Sequence, residues 1–294
     1  MPELPDLTVY REHLDRLLDG QELQKLALLN PFVLRSVEPK PSAFEGRRFI
    51  RSSRIGKRIV LSFDNELHAV MHLMVAGRLR WLLSARKPPA RITLATFVFA
   101  HGTLAFTEAG SKRRASLHLV RGAKALAAFD PGGIEPLAMT LDEFQLRLMQ
   151  ANHTLKHALT DPHLFAGIGN SYSDEILHRA RLSPIGLTQS LKPAEIARLH
   201  AAIGEVLTEW TGRLRADSAD QFPEHVTAFR PGMAVHGKFG QPCPVCGAPV
   251  QRIVYANNET NYCARCQTGG RVLADRALSR LLKASWPKSI DELG

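Results

Sequence analysis

The chain has 294 residues, enough for about two domains of ordinary size, with 45% apolar and 22% charged residues, which excludes a disordered chain. The formal net charge of +10 points to an anionic partner, nucleic acid first, because Lys and Arg that neutralise phosphates release counterions. No stretch of 18 residues is free of charge, and Glu3 and Asp6 stand where a secretory leader carries basic residues, so no membrane span and a cytoplasmic location are expected.

In chain order, the first predicted element is a helix over Pro5 to Leu18, because Leu7, Tyr10, Leu14 and Leu17 step by three and four and share one face. A β-rich stretch follows. KRIVLSF begins at Lys57 and alternates Ile59, Leu61 and Phe63. LHAVMHLM, GRLRWLL, RITLATFVFA and TLAFT come after it, divided by turn residues. Short strands at this spacing predict a sandwich or barrel. FDPGGIEP, Phe129 to Pro136, is a Pro/Gly break and the first expected domain boundary.

Beyond the break the period becomes helical. Thr140 and Glu143 make a capping-box pattern. The string AGIGNSYSDEIL places Gly167 and Gly169 in a tight turn ahead of Asn170, which begins or caps a helix. Free N–H groups at such a helix start attract phosphate. A longer helix follows Pro193, striped by Ile196, Leu199, Ile203, Val206 and Trp210, and Arg213 to Pro231 reads as a polar loop. Residues 269–294 are expected to carry a last amphipathic helix.

All four cysteines fall in one window as Cys243-x-x-Cys246 and Cys263-x-x-Cys266. This is the spacing of a four-thiolate zinc site; two disulfides are the alternative, disfavoured in a cytoplasmic chain. With four protein ligands no coordination position stays open, so one structural Zn2+ is expected. QRIVY and TNYC are the predicted strands of the hairpin it braces, with ANNE as the turn. The pairs His68/His72 and His153/His157 are accidents to be expected among 12 histidines, and no second metal is assigned to them.

Taken together, these motifs resemble the formamidopyrimidine-DNA glycosylase and endonuclease VIII family. MPELPD, RIGKRIVLSF followed by HAVMHLMVAGRLR, IEPL, AGIGNSYSDEIL and GQPCPVCG…NYCARCQ occur in the family's order and spacing. The resemblance implies an α+β multidomain fold. An N-terminal helix and β-sandwich domain would occupy residues 1–130, a helix–two-turn–helix domain 136–230, a four-cysteine zinc hairpin 233–268 and a helical tail 269–294, with DNA between the halves.

The function it implies is that of a bifunctional DNA glycosylase and AP lyase of base excision repair. It would excise damaged, oxidised bases and then nick the strand. Its partner would be double-stranded DNA carrying damaged bases or abasic sites, bound by a monomer.

By the same resemblance Met1 is removed and Pro2 becomes the nucleophile. An α-amino group has an ordinary pKa near 8, about two units below lysine, so more of it is neutral at pH 7. At a helix start the positive dipole end disfavours its protonated form further. As a secondary amine it can form an iminium with C1′ of a deoxyribose. Glu3 is the implied general acid/base, although an acid in a first helical turn also suits the helix dipole by itself.

Lys57 and His72 are the implied phosphate contacts in the sheet domain, with Lys57 assisting elimination. Asn170, after Gly167 and Gly169, is the implied phosphate clamp of the helical domain. The target base must leave the stack, and Val75 and Ala76 lie where the family fills the vacated space.

The chain departs from the family pattern in four places. Asn258 stands where the zinc hairpin usually carries an arginine, and asparagine lacks the charged fork. The loss is worth about 1.5–3 kcal/mol unless Arg252 or Arg265 substitutes. EAGSKRRAS, Glu108 to Ser116, replaces a wedge-bearing run, and no phenylalanine follows Lys112, Arg113 and Arg114. Asp6 replaces a glutamate. The 213–231 segment lacks the glycine-rich character of the lesion loop in 8-oxoguanine enzymes. Asn258 and the altered wedge motivate a second reading, a catalytically weak protein that binds damaged or abasic DNA on the same scaffold; intact Pro2 and Glu3 oppose it.

Overall fold

The computed structural model describes residues 1–83, 86–110, 112–219, 221–255, 258–274, 280–281 and 286–293. The chain divides into two compact units. One holds Met1–Pro131 with Trp210–Thr227, the other Gly132–Glu209 with Ala228–Gly294.

The first unit opens with helix α1, Leu4–Leu18. Its N-cap is Glu3, whose N–H donates to the Asp6 carboxylate at 2.8 Å, completing a reciprocal capping box. Pro5 is welcome in this first turn because its missing N–H would have no intrahelical partner there. Then come β1 (Glu22–Leu23), β2 (Lys25–Leu28), β3 (Arg47–Ile55), β4 (Arg58–Phe63), β5 (Leu67–His72), β6 (Gly77–Leu83), β7 (Thr93–Phe99), β8 (Gly102–Glu108), β9 (Ser116–Arg121) and the short helix α2 (Ala123–Ala127).

The strands form a five-stranded sheet ordered β1-β3-β4-β5-β9 and a four-stranded sheet ordered β2-β7-β8-β6. Every strand pair in both is antiparallel. Ile59, Leu61, Met71, Phe97, Leu104 and Phe106, drawn from both sheets, share one core with Leu7, Tyr10 and Leu14 of α1. Each such side chain contributes roughly 1.5–3 kcal/mol by burial. The expected helix-plus-sandwich is thus present.

Several boundaries differ from expectation. Lys57 does not begin a strand: Gly56 turns with φ +56° and Lys57 sits in the turn, leaving Arg58 to open β4. LHAVMHLM stops being a strand at His72, because Leu73–Gly77 closes a turn through Gly77 N–H to Leu73 O at 2.8 Å. Strands β1, β2, β3 and β9 were not foreseen. The buried-exposed pattern of β3 does not alternate cleanly, since a bulge falls between Phe49 and Arg51.

The second unit carries α3 (Leu141–Met149), α4 (Leu155–Thr160), α5 (Asn170–Arg179) and the first part of α6 (Pro193–Asp217), then the hairpin β10 (Gln251–Tyr255) and β11 (Asn258–Tyr262) and the short α7 (Ala264–Thr268). Thr140 caps α3 through Glu143 N–H at 3.2 Å, as its capping-box pattern predicts. Helix α6 runs on to Asp217, so the polar segment expected from Arg213 begins later. Its last turns keep helical order by burying Leu214 and by an exposed Arg215–Glu12 ion pair within the first unit. Asn258 and Glu259, expected in a turn, belong to β11. The helix expected in the tail falls mostly on residues outside those described.

Candidate DNA-processing site

The start of α1 is buried: Pro2 is in the interior and Glu3 is 2% exposed. Met1 acylates the Pro2 nitrogen in this structure, and the terminal amine is that of Met1. Its pKa is held below 8.0, first by burial; Glu3 opposes the shift, while Arg78 and Lys57 add to it. Lys57, 54 residues from Glu3 in sequence, therefore shares a neighbourhood with the chain start (57 − 3 = 54).

His72, at the end of β5, is paired in register with Arg58. Burial, reinforced by Arg58, Lys57 and His118, pushes its imidazole down to about 4. At neutral pH it is an uncharged donor, and the positive charge around it belongs to Lys57 and Arg58. Pro2, Glu3, Lys57 and His72 all lie in the first unit.

Arg78 was not singled out in the sequence. It fastens the segment around the chain start, donating from Nε to Val226 O at 2.6 Å and from Nη1 to Val75 O at 3.0 Å. Its signal was its place in GRLRWLL, where alternation puts a charged residue beside a buried Gly77 and Leu79. In the turn before it Met74 takes φ +53° and Val75 is 66% exposed. A Cβ on Gly77 would collide with the Leu73 carbonyl, so this turn admits only glycine at its base. The altered run after β8 is closed by buried Glu108, which accepts from the N–H groups of Arg114 at 3.0 Å and Ala115 at 3.2 Å.

In the second unit the glycine turn is as expected in part. Gly167 needs its freedom, with φ +81°, whereas Gly169 is the extended N-cap of α5 and Asn170 is its first residue. The Asn170 side-chain amide donates to Glu259 O of β11 at 2.8 Å, and the Asn170 backbone carbonyl accepts from Lys156 Nζ at 2.7 Å.

Buried Asp174 gathers Lys156 Nζ at 2.5 Å, His236 Nδ1 at 2.8 Å and Asn261 N–H at 3.2 Å. Its neighbour Glu175 accepts from the N–H groups of Ala234, Val235 and His236 at 2.8–2.9 Å. Burial pushes the Glu175 carboxyl up, and those three bonds oppose the shift. Neither acid was anticipated; DE within AGIGNSYSDEIL was the available signal.

Arg252 and Arg265, the two possible substitutes for a hairpin arginine, are both paired. Arg252 stacks on Phe239 at 4.2 Å and bonds Glu259 at 3.3 Å, and Arg265 meets Asp291 at 3.3 Å. Asn258 pairs with Tyr255 in the hairpin register; its side chain lies outside those described.

The sulfurs of Cys243, Cys246, Cys263 and Cys266 all lie within 4.8 Å of one another, with Cys243–Cys266 at 3.9 Å and Cys246–Cys263 at 3.4 Å. Zn–S bonds of about 2.3 Å in a tetrahedron separate sulfurs by roughly 3.8 Å, so the four residues fit one structural zinc. Burial pushes the Cys263 thiol up to about 11, and a thiolate there is held by the charge of the metal.

Family models for the formamidopyrimidine-DNA glycosylase N-terminal domain, the H2TH domain and the zinc finger found in FPG and IleRS match residues 1–115, 133–214 and 240–269. The formamidopyrimidine-DNA glycosylase of Thermus thermophilus is 34% identical over 278 residues, covering 92% of this chain and 100% of that one. The chain belongs to the formamidopyrimidine-DNA glycosylase family.

Within that family, an uncharacterized formamidopyrimidine-DNA glycosylase-like protein of Mycobacterium tuberculosis is 40% identical over 155 residues, which is 52% of this chain and 96% of that protein. The Lactococcus lactis Fpg in complex with an abasic site containing DNA superposes with a TM-score of 0.79 at 25% identity, over 90% of this chain and 99% of that one. The MutM (Fpg) protein of Thermus thermophilus gives 0.75 at 32% identity, over 90% and 98%.

Proposed function

We propose that this chain is a bifunctional DNA glycosylase and AP lyase of base excision repair, acting as a monomer on double-stranded DNA with oxidised bases or abasic sites. The observation that carries the reading is the buried start of α1, where Pro2 and Glu3 share a neighbourhood with Lys57 and burial lowers the pKa of the Met1 terminal amine. Surroundings that lower the pKa of a terminal amine suit an amine nucleophile at the chain start. The net charge of +10 supports an anionic partner.

Removal of Met1 frees the Pro2 nitrogen. Its lone pair forms a bond to C1′ of the flipped nucleotide, and the bond from C1′ to the base breaks, the base leaving with a proton. Glu3 protonates the sugar ring oxygen as the ring opens to an iminium. The iminium acidifies C2′; loss of that proton expels the 3′ phosphate and cuts the strand. Lys57 and neutral His72 hold phosphates beside the lesion, Asn170 holds another, and Asn258 contacts DNA without an arginine's charge.

The test is covalent trapping. Abasic duplex DNA and borohydride are added to Met1-processed protein, and mass spectrometry reads the adduct. The expected result is one stable link at Pro2, absent in Pro2→Gly. Tight binding with no adduct from the unaltered protein would overturn the catalytic reading.

A further inference from the structure

Helix α5 buries His178 as well as Asp174 and Glu175. His178 lies one turn beyond Asp174, on the same face. Its Nε2 stands 3.3 Å from Cys243 Sγ, and residues 178 and 243 are only 6% and 3% exposed. A second tie runs nearby. Gln267 accepts from Cys263 N–H at 2.8 Å and donates to Leu182 O, just past α5, at 2.9 Å. The cysteine module is thus fastened to α5 and the residues after it at two of its four ligands.

The chemistry of the contact follows from the donor set. Four thiolates around one dication leave a net charge of −2 in a largely buried place, and such charge needs hydrogen-bond donors. Backbone N–H groups serve two of the sulfurs: Ala248 bonds Cys246, and Cys266 bonds Cys263 at 3.5 Å. At Cys243 the structure supplies an imidazole. A metal-bound thiolate carries no proton, so the imidazole must be the donor, through the Nε2–H tautomer. A hydrogen bond to a charged acceptor is about twice as strong as one between neutral groups, so the contact gains most of its strength when metal is present.

We propose that His178 is a positioning residue of the zinc site: its Nε2–H donates to the Cys243 thiolate, draws charge from that ligand, slows loss of the metal and links zinc occupancy to the helix that begins at Asn170. The residue acts through Cys243 and does not touch the metal. Removing a hydrogen-bonding partner of a metal ligand typically costs 10- to 100-fold in metal affinity.

The experiment uses the full-length protein with zinc bound. His178→Phe keeps a ring of similar size without a donor, and His178→Gln keeps an N–H. Zinc release to excess chelator is followed with a metal-sensitive dye. The expected result is release roughly 10- to 100-fold faster in His178→Phe and near the original rate in His178→Gln.

Cobalt-substituted samples give a readout that packing alone does not move. Loss of the donor raises the energy of the thiolate electrons, so the sulfur-to-cobalt charge-transfer band should shift to longer wavelength in the Phe variant. The unaltered protein loaded with cadmium-113 covers the case in which the Phe variant fails to fold. A scalar coupling between the His178 ring proton and the metal, transmitted through the sulfur, is expected. Absence of that coupling, or a folded Phe variant whose release rate and cobalt band match the original, overturns the proposal.

Discussion

In the first unit, Pro2, Glu3, Lys57 and His72 hang from a helix and two sheets whose apolar faces close one continuous core. The second unit holds Asn170 and the hairpin differently, through Asp174 shared by Lys156 and His236, Glu175 under three N–H groups, and four gathered thiolates. Apolar packing is non-directional and tolerates small shifts, whereas buried charge is stable only while every partner is present. The first unit should therefore lose function without losing its fold, and the second should lose both together.

Chelation is the strongest way to break this contrast. Small structural zinc sites gain about 10–16 kcal/mol from the metal, and here Val235, Val250, Ile253 and Tyr262 offset only part of its loss. Fluorescence of Trp286, which packs against that cluster, should change, and proteolysis should begin within residues 240–269. Amide exchange in β4 and β8 should stay slow; equal loosening of both units would contradict the comparison.

Glu3→Gln comes next. It keeps an oxygen able to cap α1 but removes the titrating carboxyl, so turnover should fall about 10²- to 10⁴-fold. The melting temperature should barely move, whereas Glu3→Ala should also lose a cap worth about 0.5–2 kcal/mol. In the second unit Asp174→Ala strands a partly buried lysine and a buried histidine. Urea unfolding should report a loss of about 3–5 kcal/mol there.

The smallest effect is a pH slope. His72 titrates at about 4 when folded against 6.5 ordinarily, so between those values the unfolded chain binds more protons. Stability should decline as pH falls through that window, and His72→Gln should flatten the decline measured by urea midpoints at pH 7 and pH 5.

The cysteine ligands were legible because all four lie on one short stretch, where spacing alone is geometry. Strands β4 to β8 were legible because each is a short apolar-rich run bounded by turn residues. The Lys57 turn was misread as a strand start because periodicity does not locate a turn of two residues after an apolar Ile55. Asp174, Lys156 and His236 were invisible as a group: their partnership spans 80 residues and exists only once α4, α5 and the 234–236 segment are folded together (236 − 156 = 80). The end of α6 was misjudged because Leu214 alone carries its apolar stripe past Trp210, among charged residues.

The turn between β5 and β6 has an evolutionary consequence. Its base is locked, since Gly77 leaves no room for any side chain, while its tip at Val75 is two-thirds exposed. Drift at the tip is therefore nearly free of folding penalty and drift at the base is forbidden. A lineage can change the side chain it offers to a partner at that point, one mutation at a time, with the loop that carries it left unaltered.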